Sequence, residues 1–253
     1  MTARVLYADI ETAPTVADVW SLRDLSVGIN QIKVHPRVIG FGYMWQGEKR
    51  PRFVSEYHDG HAEMVAKAQE LLDEADALCG YNSQGFDAKH LNAEFVEAGL
   101  TPPSPYKHLD LYRTVRNNFR WPSYKLQYVL QRLDLGSKLA TGGHSLWTDC
   151  LGDDEERKRK AWAQMKRYCV QDVAVLPLLH ARLTPWLGNQ FSPALYSGSD
   201  ELACQKCGSA NLESRGTAYT AVRAYPQHRC HDCGGWTRDS KSSWALSASG
   251  VVR

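Results

Sequence analysis

The chain has no apolar run approaching the roughly 18 to 20 residues needed to cross a bilayer, so no membrane-spanning segment is expected. Its first residues, Met1-Thr2-Ala3-Arg4, lack a basic stretch followed by an apolar core and a cleavage site, so no secretory leader is expected either. No glycine-rich phosphate loop of the kind that cradles ATP is present, and no internal repeat. Net charge is also scarce. At +2 over 253 residues it announces no partner, because phosphate attraction needs clustered Lys and Arg rather than a small global excess. What remains, 43% hydrophobic and 23% charged residues, is ordinary globular composition, sufficient for one sizeable core and a small appendage. A cytoplasmic location is the expectation, and with it seven cysteines favour metal binding over disulfides, since cytosolic thiols are kept reduced.

The patterning predicts strands over residues 5–12, 38–45 and 52–57, the last two separated by the turn-prone Gln46-Gly47-Glu48. Helical spacing follows over 61–72, a strand over 77–81, a helix over 87–98 stopped by Gly99 and Pro102-Pro103, and a strand over 107–111. Residues 125–133 and 155–183 read as helices, with Pro177 able to kink or end the second. The order predicts an α/β fold, a mixed sheet made of an antiparallel meander plus parallel strands and covered by helices. The loop-like stretch 186–200 separates it from a cysteine-bearing segment. The expected organisation is a domain over 1–190, a linker over 191–200, a small metal module over 201–240 and a flexible Ser-rich tail over 241–253.

Asp9 and Glu11 flank Ile10 on the first strand, so period-two geometry puts both carboxylates on one face. Burial of two such acids is tolerable with a divalent cation between them, and hard oxygen ligands suit Mg²⁺ or Mn²⁺. Asp87 follows a strand end and opens a helix. Tyr168 and Asp172 lie four residues apart on the late helix, beside an apolar stripe of Trp162, Met165, Cys169, Val173 and Leu176. Taken singly, each has a plain structural reading: an exposed strand end, a first-turn acid favoured by the helix dipole, and an outward-facing Tyr–Asp contact one turn apart.

Taken together and in order, Leu6-Tyr7-Ala8-Asp9-Ile10-Glu11-Thr12, Gly80-Tyr81-Asn82 through Phe86-Asp87, and Tyr168-Cys169-Val170-Gln171-Asp172 resemble the three motifs of the DEDD, or DnaQ-like, 3′→5′ exonucleases. The resemblance spans roughly residues 4 to 185 and implies a ribonuclease-H-like fold. Tyr168 stands four residues before the last Asp, and Arg167 stands where another subgroup has His, so the chain is similar to the tyrosine subgroup. The resemblance further implies that Asp9, Glu11, Asp87 and Asp172 hold two Mg²⁺ or Mn²⁺ ions, that Tyr168 orients the attacking water, and that the product is a nucleoside 5′-monophosphate. The resemblance also implies that Thr12 and its backbone contact the terminal nucleotide and that Asn82 lines the site.

The connection 13–37 is long and carries Trp20, Leu22, Leu25, Ile29 and Ile32. Trp20 has two readings, a base-stacking platform or a side chain packed under the loop. The basic run Arg157-Lys158-Arg159-Lys160 with Lys166-Arg167 is either a phosphate contact or a solvated helix face neutralised by the acids at 153–156.

Cys204-Gln205-Lys206-Cys207-Gly208 and Cys230-His231-Asp232-Cys233-Gly234 are two Cys-x-x-Cys-Gly knuckles 22 residues apart. Cys204, Cys207, Cys230 and Cys233 are expected to close a tetrahedral structural Zn²⁺ site of zinc-ribbon type, with the β-rich stretch between them as its hairpin. His228 and His231 are neighbours rather than ligands, and Cys79, Cys150 and Cys169 read as packed thiols. The expected partner is nucleic acid, single-stranded DNA first and RNA as its rival, with a protein partner for the ribbon as a further possibility. A non-catalytic binding or scaffold protein that works through the ribbon is the competing class.

Overall fold

The computed structural model describes residues 2–21, 23, 26–136 and 143–245. Leu22, Leu25 and the end of the Ser-rich tail lie outside the described residues. The strands and helices run β1 (Val5–Thr12), β2 (Val16–Ala17), β3 (Ile32–Val34), β4 (Val38–Trp45), β5 (Arg52–Ser55), α1 (His61–Asp73), β6 (Ala77–Gly80), α2 (Asp87–Glu97), β7 (Lys107–Asp110) and α3 (Leu111–Asn118). They continue as α4 (Leu126–Arg132), α5 (Ser145–Leu151), α6 (Glu155–Leu183), β8 (Leu212–Tyr219), β9 (Arg223–Cys230), β10 (Trp236–Arg238) and β11 (Trp244–Ala245). They form two compact units. Among the described residues, one comprises Arg4–Arg113 and Arg120–Leu179; the other holds residues 2–3, Thr114–Phe119 and 180–245.

In the first unit five strands make a mixed sheet in the order β5-β4-β1-β6-β7. The meander β1, β4, β5 is antiparallel, whereas β6 and β7 run parallel to β1. β1 is therefore central and covered on both faces, which its near-continuous apolar sequence anticipates. One face carries Leu6, Ala8, Ile10 and Phe41, packed with Met64, Val65, Leu72, Leu91 and Phe95 of α1 and α2. A second cluster gathers Ala13 and Ile39 with Leu146 and Cys150 of α5 and Trp162 and Met165 of α6. Trp162 is sealed there: its indole N–H donates to the Cys150 carbonyl at 3.0 Å and its ring stacks on Tyr57.

The apolar stripe expected on α6 is real, since Trp162, Met165, Cys169, Val173 and Leu176 are all buried. Pro177 lies inside α6, which runs on to Leu183. Seven strand and helix ends shift by one or two residues, and α3 and α5 are additions that the sequence pattern did not suggest. Among the described residues no helix is long and apolar enough to cross a membrane.

The second unit contains an antiparallel sheet in which β9 pairs with β8, β10 and β11. β8 and β9 form a hairpin between the two cysteine knuckles, as a ribbon requires.

Candidate functional site

The site is built around the C-terminal end of β1. Asp9 pairs in register with Gly42 of β4, and Glu11 with Gly40. Both glycines are there for space. A Cβ on Gly42 would come 2.6 Å from Cys169 Sγ and 3.0 Å from a Val173 methyl, and one on Gly40 would come 2.9 Å from the Phe53 ring. α6 thus lies against the sheet beside Asp9, with the Cys169 thiol 3.7 Å from the Asp9 carbonyl oxygen that accepts from it. Ligand atoms of Asp9, Glu11 and Cys169 all fall within 4.8 Å of one another.

Asp172, one turn along α6 from Tyr168, is buried at 2% exposure. The outward-facing reading of that helix margin is therefore corrected: the close approach that Gly42 permits turns Asp172 inward. Burial lifts the Cys169 thiol well above its ordinary range, and the carboxylates of Asp9, Glu11 and Asp172 add to the effect, which places three acids around one sulfur. Cys169 is therefore an inert packed thiol. Glu11 and Asp87 are buried as well, and Asp9 is half-buried, so the exposed-strand-end reading of the triplet is corrected too.

Asp87 opens α2 and reaches back to β1. The β1–β6 pairing ends at Tyr7 and Cys79, and beyond it the Ile10 N–H donates to Asp87 Oδ1 at 3.1 Å. Asp87 is thereby held at the backbone of the residue between Asp9 and Glu11. Burial pushes its carboxyl up to about 7, Asp110 adds to the rise, and hydrogen bonds from its own N–H and that of Ile10 oppose it.

The turn before Asp87 is shaped by a residue the sequence reading missed. Asp110, 1% exposed at the end of β7, accepts from the N–H groups of Asn82 at 2.9 Å and Gln84 at 3.2 Å, and caps α3 through Tyr112 N–H at 3.0 Å. Asn82 takes a left-handed φ of 67°, which an Asn tolerates, and its carbonyl accepts from Gly85 and Phe86 N–H. The available signal was an Asp between a strand and a helix-forming run, the pattern of an N-cap.

Tyr168 is half-buried, edge-on to Trp147 at 6.4 Å between ring centroids. Thr12 sits at a register shift that ends β1. Trp20 is fully exposed, so it is not packed under its loop. In the basic run, Arg157, Lys158 and Lys160 pair with Asp154, Glu155 and Glu156, whereas Arg159, Lys166 and Arg167 are exposed.

A family model described as the RNase H superfamily matches residues 27–184, more than half of the chain. The chain belongs to the RNase H superfamily. Superfamily members are generally nucleases, which fits a nucleic-acid-binding, metal-using domain. The match begins beyond β1, so Asp9 and Glu11 join the superfamily region through the sheet rather than through the matched residues. No curated protein shows a significant match to the chain.

In the other unit, Cys204, Cys207, Cys230 and Cys233 place their sulfurs within 4.8 Å of one another. Cys204 and Cys233 are 3.7 Å apart, Cys207 and Cys230 3.6 Å, and none is in a disulfide. Four sulfurs at about 2.3 Å from a tetrahedral Zn²⁺ lie about 3.8 Å apart, so the set fits that ion. Lys206 N–H donates to Cys204 Sγ at 3.4 Å and Gly235 N–H to Cys233 Sγ at 3.3 Å, backbone contacts that fix where both sulfurs point. The neighbouring imidazoles are turned elsewhere: His228 is 2.7 Å from Asp239, and His231 is 3.8 Å from Glu213. Tyr225 is buried beneath Arg238, while Tyr219 and Trp236 are exposed.

Proposed function

We propose that the chain is a 3′→5′ exonuclease of the DEDD tyrosine subgroup, hydrolysing single-stranded DNA or unpaired 3′ ends to nucleoside 5′-monophosphates. The observation that carries this reading is the convergence on one strand end of Asp9 and Glu11, of Asp87 through Ile10 N–H, and of the helix that bears Asp172 and Tyr168. Asp9, Glu11, Asp87 and Asp172 would hold two Mg²⁺ or Mn²⁺, whose chemistry is to acidify the attacking water and to neutralise charge on the phosphate and the departing 3′ oxygen. An all-oxygen carboxylate set suits those hard cations, and the neutral Cys169 thiol competes poorly for them.

The remaining roles belong to the protein's own side chains. The Tyr168 phenol holds and orients the water, with its ring direction set by Trp147. Thr12 and Asn82 contact the terminal nucleotide. Trp20 offers a free indole face to an unpaired base, and Arg159, Lys166 and Arg167 attract the phosphate backbone. Residues 1–190 carry this activity, residues 191–200 link it to the ribbon over 201–240, and one Zn²⁺ in that ribbon is structural.

The test is incubation with 5′-end-labelled DNA and RNA oligonucleotides in Mg²⁺, Mn²⁺ or EDTA. A metal-dependent ladder of 3′-shortened DNA, absent for Asp9→Ala, is the expected result. A ladder on RNA alone makes the chain an exoribonuclease. No metal-dependent shortening of either polymer, or an Asp9→Ala variant equal to wild type, refutes the enzyme and leaves the scaffold reading.

A further inference from the structure

The second unit contains a cavity of about 450 Å³ unrelated to the carboxylates, and its walls have a specific chemistry. Trp186 and Trp236 line it, and both indoles are about half exposed, at 52% and 44%. Around them stand three side-chain amides, Asn117, Asn118 and Gln190, and the lining includes no carboxylate. Large aromatic faces left open in a folded domain mark a contact surface, and their placement beside paired donors and acceptors narrows the class of ligand.

Both indoles are held before any ligand arrives. The Asn118 amide donates to the Trp186 carbonyl at 3.3 Å and to the Thr114 carbonyl at 2.8 Å, and Phe119 meets the Trp186 ring edge-on at 5.1 Å. Trp236 opens β10, whose pairing with Arg229 of β9 fixes its direction. The preceding Gly235 lies so close to Lys206, Cys233 and Pro185 that a Cβ there would come 3.1 to 3.4 Å from each. Lys206 in turn donates to the Leu187 and Gly188 carbonyls, which anchors the knuckle to the segment that carries Trp186. The zinc knuckle therefore sets the spacing of the two indoles.

We propose that this cavity is a binding site for an unpaired base of single-stranded nucleic acid, stacked on Trp186 and Trp236 with its edge read by the amides of Asn117 and Gln190. Indole faces stack on any base, and a side-chain amide presents the donor–acceptor pair that a base edge complements. The lining holds no carboxylate to pair a cationic ligand, and its one charged side chain, Lys206, donates to the Leu187 and Gly188 carbonyls. The same chain carries a domain of a nucleic-acid-binding superfamily, which favours nucleic acid as the occupant of this cavity. The site goes beyond the proposed hydrolysis and does not depend on it.

The experiment uses the full chain carrying Asp9→Ala, so that any hydrolysis is suppressed, and measures fluorescence anisotropy with a labelled oligothymidylate at low salt. Trp186→Ala and Trp236→Ala, each checked for unchanged zinc content and circular dichroism, are expected to weaken binding at least about fivefold, and the Trp→Phe forms much less. A second measurement needs no variant of the cavity: an oligonucleotide with abasic sites and a blunt duplex of equal length are both expected to bind the parent several-fold more weakly. Affinity within twofold of the parent for the folded Ala variants, or for the abasic strand, overturns the site, as does failure of the parent to bind. If wild type proves to hydrolyse no nucleic acid while these differences persist, the exonuclease reading fails and this one stands.

Discussion

Replacing Gly42 by Ala tests how the sheet and α6 are brought together. The added methyl would lie 2.6 Å from Cys169 Sγ, 3.0 Å from Val173 Cγ2 and 3.4 Å from the Cys169 carbonyl oxygen, where ordinary contacts lie at about 3.5 to 4 Å. The nearest atom must give way by about 1 Å, and Cys169 and Val173 are both fully buried. Overpacking of this kind costs about 1 to 3 kcal/mol, or about 2 to 4 °C of melting temperature per kcal/mol in a chain of this size. Cys169→Ala alone should cost about 1 kcal/mol, the loss of one buried methylene-sized group. Because it removes the closest atom, the double variant should be more stable than the sum of the two losses by about 0.5 kcal/mol or more. Urea denaturation of the four proteins, zinc-loaded and in one buffer, measures the cycle. Losses that simply add, or a Gly42→Ala protein as stable as wild type, would show that α6 does not rest on that glycine. Asp172 moves with α6, so Gly42→Ala should also slow any metal-dependent hydrolysis, and Cys169→Ala should restore part of it.

Three other expectations follow from buried polar groups. Glu94 is 7% exposed, accepts from the Val38 N–H at 2.6 Å and lies 3.0 Å from His61 Nε2. Glu94→Ala should destabilise by about 1 to 3 kcal/mol in urea and Glu94→Gln by clearly less, since an amide oxygen still accepts; equal losses would contradict this account. Burial pushes the His180 imidazole down to about 4, so between pH 4 and about 6.5 the unfolded chain binds the extra proton and stability falls as pH falls. His180→Leu should lose less stability than wild type between pH 7 and pH 5, and parallel pH profiles would refute the assignment. Zinc measured by metal analysis should be about one per chain and near zero after Cys204→Ser with Cys207→Ser, while any Mg²⁺-dependent hydrolysis by the other unit survives. Full zinc retention after that double change would refute the four-sulfur site.

The α/β order, the mixed sheet and the apolar stripe of α6 were legible because long segments repeat at period two or 3.6. α3 and α5 were not. Leu111–Asn118 carries Thr, Val and two Asn, and Ser145–Leu151 spans only seven residues with Trp, Thr and Cys, so their helicity rests on packing rather than propensity. The carboxylates could be named from the sequence, whereas their burial could not. Burial depends on Gly40 and Gly42 lying opposite Glu11 and Asp9, a register between strands separated by a connection of more than twenty residues. The same distance hid Asp110, whose hydrogen bonds to Asn82 and Gln84 join the ends of β6 and β7 and become visible only when the two strands are paired.

Packing acids into one strand end is costly, and the cost has a chemical use. Glu11, Asp87 and Asp172 are all nearly excluded from solvent, and Asp87 is pushed up to about 7 chiefly by that exclusion. A group so placed is partly protonated at neutral pH, and a divalent cation reverses the preference by favouring the charged form. Cation binding should therefore release a proton, tighten as pH rises, and stabilise the folded unit through linkage. The Ile10 N–H matters to this balance because it favours the Asp87 anion from the backbone, at a point that no side-chain substitution on β1 removes. A carboxylate poised in this way resists burial when alone and gains most from the ion, which ties the stability of this strand end to the metal chemistry proposed for it.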